Sequence, residues 1–341
     1  MLLHDGSSCD DIDVTIARTF MPLLLAMSTI YFPMVSHQEY ALKELFAARG
    51  ITFGMAGEYS SFDSSVQSPL IYKHAATFTS EVSMKMLYTQ PIYGQWEYSY
   101  ADSLVEDCQL NNIALHGHCI VWHMEYPAWL DATLGNATIE ERYVILANHV
   151  ERMMRHFAPS CASIDVVNEL QPAVEAGAGG FGYYLGLDAG RFAFTEARKY
   201  SGDCKLYYNS FFNTDADADY AISLLDVSDG IGVQLHLDTW NDNTARFDRI
   251  RRMADACKAQ GKSMRFSEVS VRKQDGEDMM AAALVYKNIV SLALEYPQTI
   301  VNFTTWGVKG QSWNGGYLLF DTYGKPNTCY SLVVKELLRK E

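Results

Sequence analysis

The sequence predicts a single-domain (β/α)8 barrel of the α/β class, and three observations predict it. Short apolar, β-branched segments alternate with amphipathic helical segments eight times over residues 40–341. No linker, low-complexity tract or short-period repeat interrupts the alternation. Polar and titratable side chains gather at the C-terminal ends of the apolar segments, the rim where barrels of this kind carry their sites.

The elements follow in order. Residues 40–49 are helical, with Leu42, Leu45 and Phe46 on one face and Gly50 as the stop. ITFGMAG (51–57) is the first strand and AATFTSEV (75–82) the second. Residues 100–111 form an amphipathic helix before the third strand, IALHGHCIVWH (113–123). Thr138 with Glu141 is a capping box. It opens a long helix with Val144, Leu146, Val150, Met153, Met154 and Phe157 at helical spacing. IDVVNEL (164–170) is the fourth strand, residues 181–200 are helical, and KLYYN (205–209) is the fifth strand. GIGVQLHL (230–237) is the sixth, followed by a helix over 247–259 that Gly261 ends. RFSEVSV (265–271) is the seventh, and the helix over 281–296 stops at Pro297. TIVNFTTWG (299–307) is the eighth strand, and a last helix covers 330–339.

Composition narrows the function. The chain has 341 residues, 48% of them apolar and 13% aromatic, enough for one large core. A net charge of −14 argues against nucleic acid or an anionic membrane as partner and suits a neutral or cationic ligand. Tyr, Phe and Trp number 21, 16 and 6, so rings are available to stack on sugars, although most belong to the core. None of the seven cysteines forms a CxxC pair, and no HExxH occurs, so neither a zinc site nor any other metal or cofactor is expected. Cys161 and Cys204 each precede a strand; they are either a bridge at the lower rim or two free thiols.

Residues 1–39 stand apart as an N-terminal segment. The run 20–35 is mostly apolar but short for a membrane span and broken by Pro22 and Pro33. It is either a packed extension or a secretion signal or its remnant, with Met21 as an alternative start of translation. The upstream Asp5, Asp10, Asp11 and Asp13 are wrong for a signal n-region. Asn136-Ala137-Thr138 is a glycosylation sequon that matters only in a secreted chain.

The rim residues carry the chemistry. Glu169 and Glu268 lie at or near the ends of the fourth and seventh strands. Around them stand Glu81 and Lys85 after the second strand, His118, Trp122 and His123 at the third, and Asn168 at the fourth. Gln234 and His236 follow at the sixth, Trp306 at the eighth and Trp313 in the loop beyond. Any one of these alone is a satisfied buried polar group, since such groups cost energy unless paired. Their convergence points to glycosidic cleavage, in which one carboxylic acid protonates the leaving oxygen and a second carboxylate attacks or stabilises the oxocarbenium-like carbon. Different environments must separate the two pKa values. Asn168 is placed to bond a sugar hydroxyl, Trp306 to give a stacking floor and His236 to hold Glu268 ionised. No GxSxG supports a serine nucleophile.

At this point the motifs resemble glycoside hydrolase family 10, the endo-β-1,4-xylanases. HGHCIVWHMEYPAWL (116–130) resembles that family's RGHTLVWH-type third strand, IDVVNE its WDVVNE strand and FSEV its TEL strand. TTWGVKGQSW (304–313) with GGYLLFDTYGKP (315–326) is similar to its closing segment, and LKELFAARGITFGMAG (42–57) to its opening. The likeness covers residues 40–338. It implies a retaining double displacement on xylan, with Glu169 as acid/base and Glu268 as nucleophile. It implies His118, Trp122, Asn168, Gln234, His236 and Trp306 at the cleavage subsite, and Glu81, Lys85 and Trp313 holding sugars on the non-reducing side. A monomeric, secreted enzyme is the corresponding expectation.

The pattern is not followed throughout. Val82, Met86, Glu125, Ser270 and Asn314 stand where the family has Asn, Trp, Gln, Asp and Arg, and the loop before Trp313 is one residue short. The second sugar subsite is therefore expected to be weakened or shifted. Two other readings stay open: a retaining hydrolase of mixed-linkage glucan or mannan, and a barrel that binds glycan without cutting it.

Overall fold

The computed structural model describes residues 39–339. The N-terminal readings, with Cys9 and the apolar run at 20–35, lie outside the described residues. Eight strands close into a barrel in chain order. They are β1 (Thr52–Gly57), β2 (Thr77–Ser80), β3 (Ala114–Val121), β4 (Cys161–Asn168), β5 (Lys205–Ser210), β6 (Gly230–Asp238), β7 (Ser263–Arg272) and β8 (Ile300–Thr305). Every neighbouring pair is parallel, and β1 closes on β8 with Phe53 opposite Phe303. Helices cover the outside, so both faces of the strands are buried, as a parallel sheet requires. No helix among the described residues is long and apolar enough to cross a membrane.

Aromatic packing under one side of the barrel is dense. Phe46 lies 5.2 Å from Phe53 and 5.1 Å from Phe303, ring centre to ring centre. Inside the barrel the chain needs a residue with no side chain at position 54. A Cβ there would sit 2.4 Å from Thr77 Oγ1 and 2.6 Å from Thr304 Oγ1. These hydroxyls belong to a polar layer in which Asn302 donates to Thr52 O and Thr77 Oγ1.

Several element expectations are corrected. The helix expected over 181–200 is two, Phe181–Leu185 and Asp188–Arg198, parted at Gly186, whose φ of 66° leaves the helical region. Helix Asp215–Ser223 follows β5 where none was expected; its aspartates obscure the small buried face of Ala218 and Ala221. Val144 does not join the apolar face of helix Ile139–Phe157 and is 67% exposed. It is two positions from Leu146, and residues two apart do not share a helix face. Cys161 and Cys204 are free, buried thiols. The register sets Lys205 against Ser163, so Cys204 is not opposite Cys161.

The expected capping box is present: Thr138 Oγ1 accepts from Glu141 N–H at 3.3 Å, and Glu141 Oε2 accepts from Thr138 N–H at 2.8 Å. Thr138→Ala is expected to cost about 1 kcal/mol of stability. Denaturant unfolding checks this, and an unchanged midpoint would mean the cap contributes nothing.

Candidate active site

The strand ends bring the titratable residues around one cavity of about 380 Å³. Eleven of the twelve rim residues expected from the sequence line it: Glu81, Lys85, His118, Trp122, Asn168, Glu169, Gln234, His236, Glu268, Trp306 and Trp313; His123 does not, and its Nδ1 lies 3.9 Å from Glu169 Oε2. Val82, Met124, Glu125 and Phe211 complete the wall. A larger open groove of about 790 Å³ lies between the outer helices against Tyr143, Val144 and Phe192; it shares no lining residue with that cavity.

Glu169 follows the last residue of β4 with φ 56° and ψ 33°, a left-handed conformation that costs a side-chain-bearing residue about 1 kcal/mol or more. Its N–H donates to Asn209 O at 2.8 Å and ties the turn to β5. The carboxyl is 4% exposed and fully engaged. Oε1 accepts from Gln234 Nε2 at 2.7 Å and Asn168 Nδ2 at 3.3 Å, and Oε2 accepts from Trp122 Nε1 at 2.8 Å. Burial raises its pKa above the ordinary glutamate value; the Gln234 and Trp122 donors oppose the rise, and the Glu268 charge adds to it.

Glu268 lies within β7, opposite Gln234 of β6. Its Oε1 accepts from Asn209 Nδ2 at 2.8 Å, and its Oε2 meets His236 Nε2 at 3.1 Å. A carboxylate only accepts, so Nε2 carries the imidazole hydrogen. The other ring nitrogen, Nδ1, lies 2.7 Å from the Ser270 hydroxyl oxygen. The two carboxyls therefore differ in surroundings: an indole and two primary amides on Glu169, one amide and an imidazole on Glu268.

Asn209 escaped the sequence reading. Its amide nitrogen bridges Glu268 Oε1 and Asn168 Oδ1, and its oxygen accepts from Ser267 Oγ at 2.6 Å. The signal was its place at the exit of KLYYN, since the register sets it opposite Asn168. Gln234 in turn donates to Asn168 Oδ1 at 3.2 Å, and Arg246 donates to the Gln234 carbonyl at 2.7 Å. Asp165 also escaped. Its Oδ2 lies 2.9 Å from His118 Nδ1 and 3.0 Å from His116 Nε2. Burial opposes ionisation of Asp165, but the two histidines outweigh it and hold the pKa below the usual carboxylate range. Burial likewise disfavours the His118 imidazolium. The adjoining Cys119 sulfur, the Asp165 bond and the Glu268 charge override it and hold that pKa well above the ordinary histidine value. Burial and the nearby Arg265 push His116 down to about 4.

On the β2–β3 side, Lys85 Nζ donates to Glu125 Oε1 at 3.0 Å and lies 4.6 Å from the Trp122 ring centre. Burial raises the pKa of Glu81, and Lys85 opposes the rise. Trp306 is buried with its ring 5.3 Å from His118, whereas Trp313 is 71% exposed at the rim and 5.8 Å from His236. Such an arrangement can hold a neutral polyol against rings and present it to two carboxyls in different surroundings.

Comparison with known proteins agrees with this fold. The model of Glycosyl hydrolase family 10 matches residues 41–336. Endo-1,4-beta-xylanase A of Caldicellulosiruptor saccharolyticus is 25% identical over 308 residues, covering 79% of this chain and 89% of that protein. Endo-1,4-beta-xylanase B of Paenibacillus barcinonensis is 28% identical over 270 residues, covering 71% and 80% respectively. Among solved structures, xylanase 10B from Thermotoga petrophila RKU-1 in complex with xylobiose matches with a TM-score of 0.77 at 25% identity, covering 88% of this chain and 98% of that one.

Trp122→Phe removes one donor from the charged form of Glu169. The Glu169 pKa is then expected to rise further. A carbon-13 titration of glutamate-labelled protein, assigned with Glu169→Gln, reads the shift; a fall would contradict the geometry.

Proposed function

The chain belongs to glycosyl hydrolase family 10 and acts as an endo-1,4-β-xylanase, and from that premise we propose the roles of its residues. Glu169 is the acid/base and Glu268 the nucleophile of a retaining double displacement. The observation that carries this is the pair of buried carboxyls on one cavity with different partners, Glu169 raised in pKa and Glu268 bonded to His236 and Asn209.

In the first step Glu268 attacks the anomeric carbon while the bond to the leaving sugar breaks, and Glu169 gives its proton to the leaving oxygen. In the second, Glu169 takes a proton from water, the water oxygen attacks the same carbon, and the ester to Glu268 opens. Burial keeps Glu169 protonated to higher pH, which suits the first step. After proton loss, the Trp122 and Gln234 donors stabilise its anion, which suits the second. His118, Asn168, Gln234, His236 and Trp306 surround the sugar at the point of cleavage.

Glu81, Lys85 and Trp313 take the sugars on the non-reducing side. Recognition of the second sugar there is weakened. Val82 offers that sugar no hydrogen bond, and Glu125 already engages the Lys85 ammonium. Kinetics on xylo-oligosaccharides of increasing length should show less than about a fivefold gain in kcat/KM from that sugar, the worth of about one neutral hydrogen bond; a much larger gain would sink the assignment. Because a polymer does not cross a membrane, we place the enzyme's work outside the cell.

Glu268→Gln is expected to lower kcat on xylan by about 10³-fold or more. Glu169→Gln is expected to lower it by about 10²- to 10⁴-fold, with a far smaller loss on aryl xylobiosides whose phenol leaves without a proton. Since Glu169 must start protonated, wild-type kcat/KM falls as pH rises through its pKa, and that basic limb lies above the ordinary glutamate range. Reducing-sugar release over a pH series checks all three. Full activity in either variant would refute the roles.

A further inference from the structure

The rim carries a feature that the cleavage chemistry leaves unused. β6 and β7 run in register past the site, with Gln234 opposite Glu268, His236 opposite Ser270 and Asp238 opposite Arg272. Alternate residues of a strand share a face, so these three rungs form one column. Asp238 stands four residues beyond Gln234, about 13 Å further toward the barrel mouth at about 3.3 Å per residue.

At that upper rung Arg272 grips Asp238 as a fork, Nε to Oδ1 at 2.6 Å and Nη2 to Oδ2 at 2.9 Å. The same guanidinium lies 5.4 Å from the centre of the Trp240 ring. The turn bearing Trp240 is tied on both sides: Thr239 N–H donates to Arg272 O at 3.0 Å, and Asn241 Nδ2 donates to Asp238 Oδ2 at 3.0 Å. The ring nevertheless remains 44% exposed. A large flat surface that is already immobilised loses little entropy when a ligand stacks on it.

Topology fixes the side of the cleft. In the closed eight-strand order, β6 is four strands from β2 and therefore diametrically across the barrel from Glu81 and Lys85. Resting on the reading that those two residues hold the non-reducing side, we infer that Trp240 is a stacking platform for xylan on the leaving-group side, beyond the first leaving sugar. The Arg272–Asp238 fork positions the ring, and the apolar face of a xylose residue is its ligand.

The test is the ratio of kcat/KM for xylohexaose to that for 4-nitrophenyl β-xylobioside, measured for wild type, Trp240→Ala and Trp240→Phe. The aryl substrate places only a phenol past the scissile bond. Trp240→Ala is expected to lower the ratio about three- to tenfold, the worth of one aromatic stacking contact, and Trp240→Phe to restore most of it. An unchanged ratio in Trp240→Ala, or a loss of equal size on both substrates, would overturn the inference. Wild type that cleaved neither substrate would instead overturn the endo-xylanase reading beneath it.

Discussion

Two carboxyls buried in one small cavity are the constraint around which the barrel mouth is arranged. Like charges at close quarters in a medium of low dielectric repel strongly, and each is costly to desolvate. The molecule meets this with amides. Asn209, Asn168 and Gln234, from three adjacent strands, form a chain of hydrogen bonds between Glu268 and Glu169. Amides add donors without adding charge, so they quiet both carboxyls while leaving the pair free to differ in protonation. Beneath the pair, Asp165, His116, His118 and Arg265 are buried together, with Asp165 held between the two histidines and His118 reaching the cavity.

Much of this was legible in the sequence because barrel topology converts strand-exit positions into neighbours. Glu169 and Glu268 are far apart in the chain, yet both belong to the C-terminal halves of parallel strands, which brings them to one face; Glu169 follows the last residue of β4, whereas β7 runs four residues past Glu268, further than its sequence suggests. The same logic would have found Asn209, which exits β5 as Asn168 exits β4. It was passed over because an asparagine after tyrosines reads as a strand end. Other features had no sequence signal. The left-handed backbone of Glu169 follows from its tether to β5, not from residue type. The break at Gly186 and the helix Asp215–Ser223 fall where local composition blurs the helical period, and tertiary packing decides them.

The departures from the family pattern gain physical content from the site. Ser270 takes the far nitrogen of His236 with a neutral hydroxyl, so the relay from Glu268 ends without a second carboxylate. A Cβ on Gly316 would lie 2.5 Å from the Ser270 hydroxyl, so the loop after Trp313 closes tightly over this position. On the opposite flank Glu125 draws Lys85 into an ion pair above Trp122. The carboxyl pair is thus held by two or more hydrogen bonds each, while both flanks carry the residues that depart from the family pattern.

Covalent trapping tests the central claim most directly. The protein would be incubated with a 2-deoxy-2-fluoro-xylobioside bearing a good leaving group, digested, and the labelled peptide sequenced by mass spectrometry. The account predicts a single glycosyl adduct on Glu268. An adduct on Glu169, or turnover of xylo-oligosaccharides with inverted anomeric products and no adduct, would contradict it.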